Sequence, residues 1–488
     1  MNNTGARRIP SLILSNRNLG AMKLAAMFTA LLICAGASSQ AQVFTPLHSL
    51  QQKDGTFPVG VTQGIDGNLY GATAGNQPRE TCPGVVGCGT LFKITTDKVF
   101  TTLHKFDFTD GSSPAVPIQG VDGNLYGTTY EGGLHGGFYR NGTAFSLTPD
   151  GTFTKLHDFS AVGGGNPTGL IQVADGSFYG AALSGGSGQS GTIFHMNSSG
   201  AASRVYTFCP QIFPCPDGAA PSSLIQGIDG NFYGTASLDG ASFGGTVFKV
   251  TPKGVLTTLH SFCTSGEPCP DGSDPRQLVA LGGMFYGTTT TDGVNEGGTV
   301  FQITPNGVLT TIYSFCAEAD CADGFGPTGG LIVGSEGGLY GTTQGGGTGD
   351  GTIFKITPAG SLTTLYSFRN SDGKSPSPLM QDTDGNFYGT LGMGGSQQLG
   401  MIFRFSTGLR PFVKTLQTSG KEGSSVIILG TSLTDATSVS FNGTAASFTV
   451  VSATEITATI PAGATTGKIQ VGTPTGSLVS NIPFRVTH

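Results

Sequence analysis

One three-residue phrase returns seven times in this chain: Leu69-Tyr70-Gly71, Leu125-Tyr126-Gly127, Phe178-Tyr179-Gly180, Phe232-Tyr233-Gly234, Phe285-Tyr286-Gly287, Leu339-Tyr340-Gly341 and Phe387-Tyr388-Gly389. Successive tyrosines are 56, 53, 54, 53, 54 and 48 residues apart. Such a period marks repeated supersecondary units that bury their apolar faces only against one another. Function is then to be sought where the units depart from the repeat.

Each unit reads as four short segments. A first apolar stretch such as Leu224-Ile225-Gln226 leads through Asp229-Gly230-Asn231 into Phe232-Tyr233-Gly234-Thr235. A glycine-rich loop follows, then Gly245–Val250, the turn Thr251-Pro252-Lys253-Gly254, and a last stretch over Val255–Phe262. The segments have strand length and are rich in β-branched and aromatic residues. The Asp-Gly and Pro-x-Gly units between them are turn chemistry: Asp bonds its own backbone and Gly accepts positive φ. Glycine numbers 80 of 488 residues and charged residues only 11%, which fits many strands joined by tight turns.

These features predict an all-β chain: a seven-bladed β-propeller over residues 42–408, followed by an immunoglobulin-like β-sandwich over 411–488. A solenoid is the competing architecture. The two ends of the repeat region argue against it. The last unit reaches Gly400–Phe405 and lacks its fourth strand, and a matching segment stands at Val43–Leu50. A chain arranged this way closes a ring and leaves no exposed end repeats.

Residues 1–41 read as a secretory signal. Arg7, Arg8, Arg17 and Lys23 supply the positive region, Leu24 to about Ala35 the apolar core, and Ser39-Gln40-Ala41 a cleavage site, with Ala37 as an alternative. The core is too short to span a bilayer comfortably, and no other stretch is apolar enough to do so. Removing this segment takes the formal charge from −6 to −10. No basic footprint for nucleic acid exists. The expected location is secreted or cell-surface.

Eight cysteines remain, in close pairs: Cys82/Cys88, Cys209/Cys215, Cys263/Cys269 and Cys316/Cys321. Behind a signal segment this argues for local disulfides. Zinc is the weaker reading, because its sites join two pairs at shorter spacing, whereas each pair here belongs to a different unit. In a four-stranded meander, the loop before the first strand and the loop after the second share a face. Three pairs sit in the first kind of loop and Cys82/Cys88 in the second. One face therefore carries long, stapled loops and the other only tight turns. Variable loops on a rigid scaffold are where binding residues concentrate; loop stiffening alone would also account for the staples.

The C-terminal segment resembles an IPT/TIG domain. The residues that carry the resemblance are Thr418–Gly423, Gly430–Leu433, Val439–Thr444 and Ile460–Gly467. That resemblance implies an immunoglobulin-like structural or interaction module and no enzyme. The repeats, over roughly residues 43 to 405, resemble the GloVer tandem repeats of choice-of-anchor exported bacterial proteins. The Asp-Gly-Asn-Phe-Tyr-Gly-Thr run at 229–235, the Gly-Gly-Thr-Val-Phe-Lys run at 244–249 and the Leu-Thr-Thr-Leu-His-Ser-Phe run at 256–262 carry this likeness. It implies export and surface display and brings no catalytic residues.

Several chemistry-bearing patterns fail on context. Gly186–Gly191 fits the dinucleotide fingerprint, but it lies in an inter-strand loop with no helix to receive a phosphate. Gly240–Gly244 fits the hydrolase nucleophile pattern without its strand-to-helix elbow. His48, His104, His157 and His260 share one register of the fourth strand, where Tyr206, Tyr313 and Tyr366 stand in other units, so they belong to the repeat and cannot converge on one ion. His195 occupies the position of Lys93 and Lys249 and reads as a solvated strand residue. Asp382-Thr383-Asp384 is the one turn with two acids, short of the oxygen count a hard cation wants. No cofactor or metal is expected. Gln63, Gln119, Gln172, Gln226 and Gln381 end the first strands and are expected to form a structural hydrogen-bonded ring.

The strongest departure from the repeat is the loop Tyr130–Asn141. Tyr130, His135, Tyr139 and Arg140 gather there on the loop-bearing face, and Tyr and Arg are favoured binding anchors. An ordinary extended loop is the bland alternative. The absence of tryptophan weakens a glycan-stacking platform without excluding one. The favoured expectation is a non-catalytic binding or adhesion platform for an extracellular glycan or surface protein, with the sandwich as a spacer. The rivals are an extracellular polysaccharide lyase or hydrolase using the same face, and a structural envelope component.

Overall fold

The computed structural model describes residues 42–75, 87–134, 141–210, 215–266 and 268–487. The expected signal segment therefore lies outside the described residues. Apart from one 3-10 turn at Ala319–Cys321, the regular structure is strand. Up to residue 406 the described strands form seven antiparallel sheets of four or five strands, numbered here in chain order by their first strand from Pro58 onward. The fourth is representative: Ala219–Gln226, Phe232–Leu238, Thr246–Val250 and Leu256–Ser261 pair in sequence order.

The recurring phrase explains itself in this packing. An ideal Cβ on Gly71 would lie 2.3 Å from Cζ of Phe92, and on Gly180 2.3 Å from Cζ of Phe194. Glycine is required because the tip of the third-strand phenylalanine ring fills the space where a Cβ would stand. The tyrosine before it reaches into the next sheet: Tyr126 packs at a tilt against Phe178 at 4.5 Å, Tyr179 against Phe232 at 4.1 Å, Tyr233 against Phe285 at 4.1 Å and Tyr340 against Phe387 at 4.3 Å. The Leu or Phe that opens the phrase is thus the contact offered to the preceding tyrosine. Buried clusters accordingly straddle neighbouring sheets, as with Tyr70 and Leu125 or Tyr286 and Leu339. Aromatic pairs of this geometry add about 0.5–1.5 kcal/mol beyond area burial.

Closure occurs as the two ends of the repeat region predict. Val43–Ser49 pairs antiparallel with Met401–Ser406, matching Val43 to Ser406 and Phe44 to Phe405. Tyr388 of the seventh sheet packs in one cluster with Leu69 of the first, and Thr390 Oγ1 donates to Pro58 O at 2.8 Å. Four of the five glutamines join neighbouring sheets at the tight-turn end, whereas Gln226 donates to Gly230 O within its own turn at 3.3 Å, so the expected ring is incomplete. The Gln119, Gln172 and Gln381 side-chain oxygens accept the backbone N–H of Ile65, Val121 and Ser335 from the preceding sheet, at 2.8–3.2 Å. Gln63 closes the series by donating to Thr383 Oγ1 at 2.8 Å.

The turn acids are structural. Asp66 accepts from Asn68 N at 3.1 Å and from Tyr70 Oη at 2.8 Å, and Asp122, Asp229 and Asp384 repeat the tyrosine contact. Burial, then the hydrogen bond to the carboxylate, pushes the Tyr70, Tyr126 and Tyr233 phenols up, Tyr126 to about 12.

Residues beyond Phe412 form an immunoglobulin-like sandwich. One sheet holds Lys414–Thr415, Ser425–Leu429, Phe448–Val450 and Glu455–Thr459; the other holds Ser438–Phe441, Thr444–Ala446, Ile469–Thr473 and Gly476–Val479. Val426, Ile428, Val439, Phe441, Ile456 and Val471 are in the core between them. The spacer expectation needs correction, because the domain packs onto the tight-turn face. Thr454 Oγ1 donates to Ile65 O at 2.7 Å, Asn481 Nδ2 to Val333 O at 3.1 Å, and Phe412 N to Thr383 O at 3.0 Å. The Arg485 guanidinium stands against Gly230. These contacts fall on the first, sixth, seventh and fourth sheets. A domain touching the fourth sheet and also the first and seventh lies across the axis of the ring. Asp382 is buried beneath it, and burial raises its carboxyl to about 6 even though Lys414 pulls the other way.

Two outcomes are expected. Deleting residues 43–50 should lower the calorimetric melting temperature by several degrees or more, and Phe44→Ala alone should cost about 2–3 kcal/mol; an unchanged melting curve would contradict closure. Asp382 binds a proton more readily folded than unfolded. Its stabilising contribution is therefore full below its ordinary value of 3.8 and is lost as pH rises through about 6. Asp382→Asn should flatten that part of the pH dependence of the urea midpoint.

Candidate functional site

The fourth strand of every sheet carries the same bulge. In the fourth sheet Val247 faces His260 and Phe248 faces Thr258, leaving Leu259 unpaired. A bulge re-aims the side chains beside it. The residue it aims is the repeated His or Tyr, and in six of the seven sheets its target is an aspartate in the next loop. His48, His104 and His260 place Nε2 2.8–2.9 Å from Asp54, Asp110 and Asp271. Tyr206, Tyr313 and Tyr366 donate to Asp217, Asp323 and Asp372 at 2.8–3.0 Å. The same carboxylates accept backbone N–H groups, for example from Cys209 and Ala317, both at 3.0 Å. The histidines are thus tied into the repeat.

Three disulfides brace these loops: Cys209–Cys215, Cys263–Cys269 and Cys316–Cys321. Each ends two residues before its aspartate. Cys88 is also disulfide-bonded, and its expected partner Cys82 lies outside the described residues. Asp292 stands near Cys263 and Cys269, but sulfurs joined in a disulfide offer no thiolate to a metal. The loops after the second strands dock on the stapled ones. Gly240, Gly293 and Gly347 donate N–H to the carbonyls of Cys215, Cys269 and Cys321 at 2.9–3.0 Å. Both loop types therefore share one face, as the meander requires.

A further ring of contacts underlies that face. The residue before the proline that opens each first strand has left-handed backbone: Phe57, Ser113, Asn166, Ala220, Asp274 and Ser375 lie at φ 53–58°. Such conformations cost about 1–2 kcal/mol each. In return the backbone N–H is aimed at the preceding sheet. Phe57, Ser113, Asn166, Ala220 and Asp274 donate to Leu399, Cys88, Asn141, Ser190 and Gly244. The face is preformed, held by strained residues that its neighbours over-determine.

Of the anchors read from sequence, Tyr130 is described. It is the penultimate residue of the strand Leu125–Glu131 and half-buried, with its carbonyl accepting from Asn166 Nδ2 at 2.8 Å. Glu131 beside it is buried. His135, Tyr139 and Arg140 lie outside the described residues. Gly186–Gly191 and Gly240–Gly244 fall in strand-to-strand loops, which removes both the phosphate-binding and the nucleophile-elbow mechanisms. Sequence reading missed the six loop aspartates and the pair Asp274 and Arg276. The aspartates carry a signal, an Asp-Gly step ahead of six first strands at 54, 110, 217, 271, 323 and 372. The pair is visible only once the strand-opening prolines are aligned.

An axial cavity of about 300 Å³ lies among the first strands of the third to seventh sheets. Thr168, Ser222, Arg276 and Thr328, each following its proline, line it.

Each of the two parts of the chain matches a known family. The Gloeobacter/Verrucomicrobia repeat matches residues 134–320, 210–403 and 274–446, overlapping segments that together exceed half of the chain. The IPT/TIG domain matches residues 411–486. No curated protein matches. Similar solved structures include a putative 6-phosphogluconolactonase from Bacteroides uniformis, with 15% identity, 68% of this chain and 92% of that chain covered, and a TM-score of 0.42. PorZ, an essential surface component of the type-IX secretion system of Porphyromonas gingivalis, is 14% identical over 87% of this chain and 59% of its own, with a TM-score of 0.43. A puromycin-hydrolyzing peptidase of Mycobacterium tuberculosis is 13% identical over 80% and 62%, with a TM-score of 0.43.

The aspartate contacts are testable. Asp217→Ala should lower stability by about 1–3 kcal/mol, because it strands the Tyr206 hydroxyl and the Cys209 N–H, while Tyr206→Phe should cost about 1 kcal/mol. Urea midpoints report both, and an Asp217→Ala midpoint equal to wild type would refute the role.

Proposed function

The chain belongs to the Gloeobacter/Verrucomicrobia repeat family, and from that premise we propose that it is an exported, non-catalytic binding protein that displays its stapled face to an extracellular glycan or surface protein. The observation that carries this reading is the construction of that face. Disulfides, loop aspartates and left-handed residues fix its loops before any partner arrives. Prior fixing lowers the ordering cost of association. Disulfides also suit an oxidising compartment, and no helix among the described residues is long and apolar enough to cross a membrane.

The opposite face is occupied by the IPT/TIG domain, which leaves the stapled face uncovered by that domain. Tyr130, His135, Tyr139 and Arg140 are the proposed contacts on it. Their side chains suit stacking and hydrogen bonding, and the formal charge of −10 expected for the exported chain favours a neutral partner over a strongly anionic one.

A glycan and cell-wall binding screen of residues 42–488 tests the reading. Binding is expected, with no consumption of the bound polymer. Tyr139→Ala together with Arg140→Ala should weaken it about tenfold or more while leaving the melting temperature nearly unchanged. Unaltered binding in that double variant would move the site elsewhere, and turnover of the polymer would overturn the non-catalytic assignment.

A further inference from the structure

The repeat needs no charge near its axis. At the two positions flanking the strand-opening proline, six sheets carry apolar, hydroxyl, amide or glycine residues. The fifth alone departs, and it does so twice, with Asp274 before Pro275 and Arg276 after it. The two side chains meet: Arg276 Nη2 lies 2.6 Å from Asp274 Oδ2. Asp274 also takes the hydroxyl of Thr290. The guanidinium is thereby held in place, yet the side chains of Arg276 and Asp274 remain 36% and 30% exposed. Arg276 forms part of the cavity wall, with Gln277 next to it and Ser222 and Thr328 from the sheets on either side. Its Nη1 makes no hydrogen bond among the described residues.

We propose that the axial cavity beside the Asp274–Arg276 pair is a binding site for a single neutral sugar unit entering from the stapled face. Four features select this chemistry. First, the domain that lies across the tight-turn end leaves the loop side as the way in. Second, the volume of about 300 Å³ stands at the small end of the ligand-pocket range of roughly 300–1,000 Å³, which suits one ring better than a polymer segment. Third, the two charges of the pair oppose each other, so neither an anion nor a cation gains the full field of its counter-charge. Fourth, a sugar hydroxyl both donates and accepts. Adjacent hydroxyls can take protons from Arg276 while giving theirs to Gln277, Ser222 or Thr328. This site goes beyond the loop-face reading and does not depend on it.

Saturation-transfer NMR and calorimetry on residues 42–488, with glucose, galactose, N-acetylglucosamine, cellobiose and sodium glucuronate, test the proposal. At least one neutral sugar should bind in the millimolar range, and glucuronate should bind no better than glucose. Arg276→Gln should weaken the sugar about tenfold, the size of one lost charge-assisted hydrogen bond. Should that variant fail to fold, Thr328→Tyr, which fills the cavity from another wall, should abolish binding. Absence of binding by every neutral sugar, preference for glucuronate, or unchanged affinity in a folded Arg276→Gln or Thr328→Tyr chain would each overturn the proposal. Failure of this site leaves polymer capture in the glycan screen untouched. Sugar binding that survives loss of polymer capture would retain this site and remove the loop-face reading.

Discussion

The ring depends on one repeated contact, a tyrosine laid on the aromatic or leucine side chain that opens the same phrase in the next sheet. It works only because the residue after the tyrosine is glycine. A phenylalanine from the third strand occupies the space that a Cβ would fill, at 2.3 Å for Gly71 and Gly180. Each sheet thus completes the core of its neighbour and has none of its own. A four-stranded sheet by itself would leave that tyrosine in water, and the whole circuit is needed before every tyrosine is covered.

Around this apolar contact the polar backbone is satisfied from both ends. Glutamine side chains link neighbouring sheets at the tight-turn end. Left-handed residues before proline do the same at the loop end. The first set lies under the IPT/TIG domain and the second does not. Two ends built on similar principles therefore differ in use: one serves as a seat for a domain, and the other supports variable loops over an axial cavity.

Much of the architecture was legible because it rests on local rules repeated many times. The Tyr-Gly phrase, the Asp-Gly-Asn turns and the complementary segments at the two ends predicted strands, turns and closure from residue type and spacing alone. The adjacent cysteine pairs were legible for the same reason. Docking of the IPT/TIG domain was not legible. It rests on contacts such as Thr454 with Ile65 and Asn481 with Val333, which join residues far apart in sequence and have no compositional mark. The pair Asp274 and Arg276 was hidden differently. Both residues are ordinary by type and become unusual only when seven prolines are superposed in register. The loop Tyr130–Asn141 drew attention by composition, and Tyr130 is its one described anchor.

The clasp between Val43–Ser49 and Met401–Ser406 has a consequence for the order of events in folding. Its two strands are separated by nearly the entire repeat region. Intermediate sheets are assembled from neighbouring segments and can form as the chain emerges, but the seventh lacks an edge until residue 406 exists. The earliest strand must therefore wait, unpaired, for the latest. Contacts of such long sequence separation form slowly, and an edge strand kept waiting is a template for pairing with another chain. The most hazardous species of this protein is thus the nearly finished one, six sheets complete and the seventh open. A second molecule in the same condition could donate its own first strand to that edge, and the exchange would yield a dimer with every sheet intact.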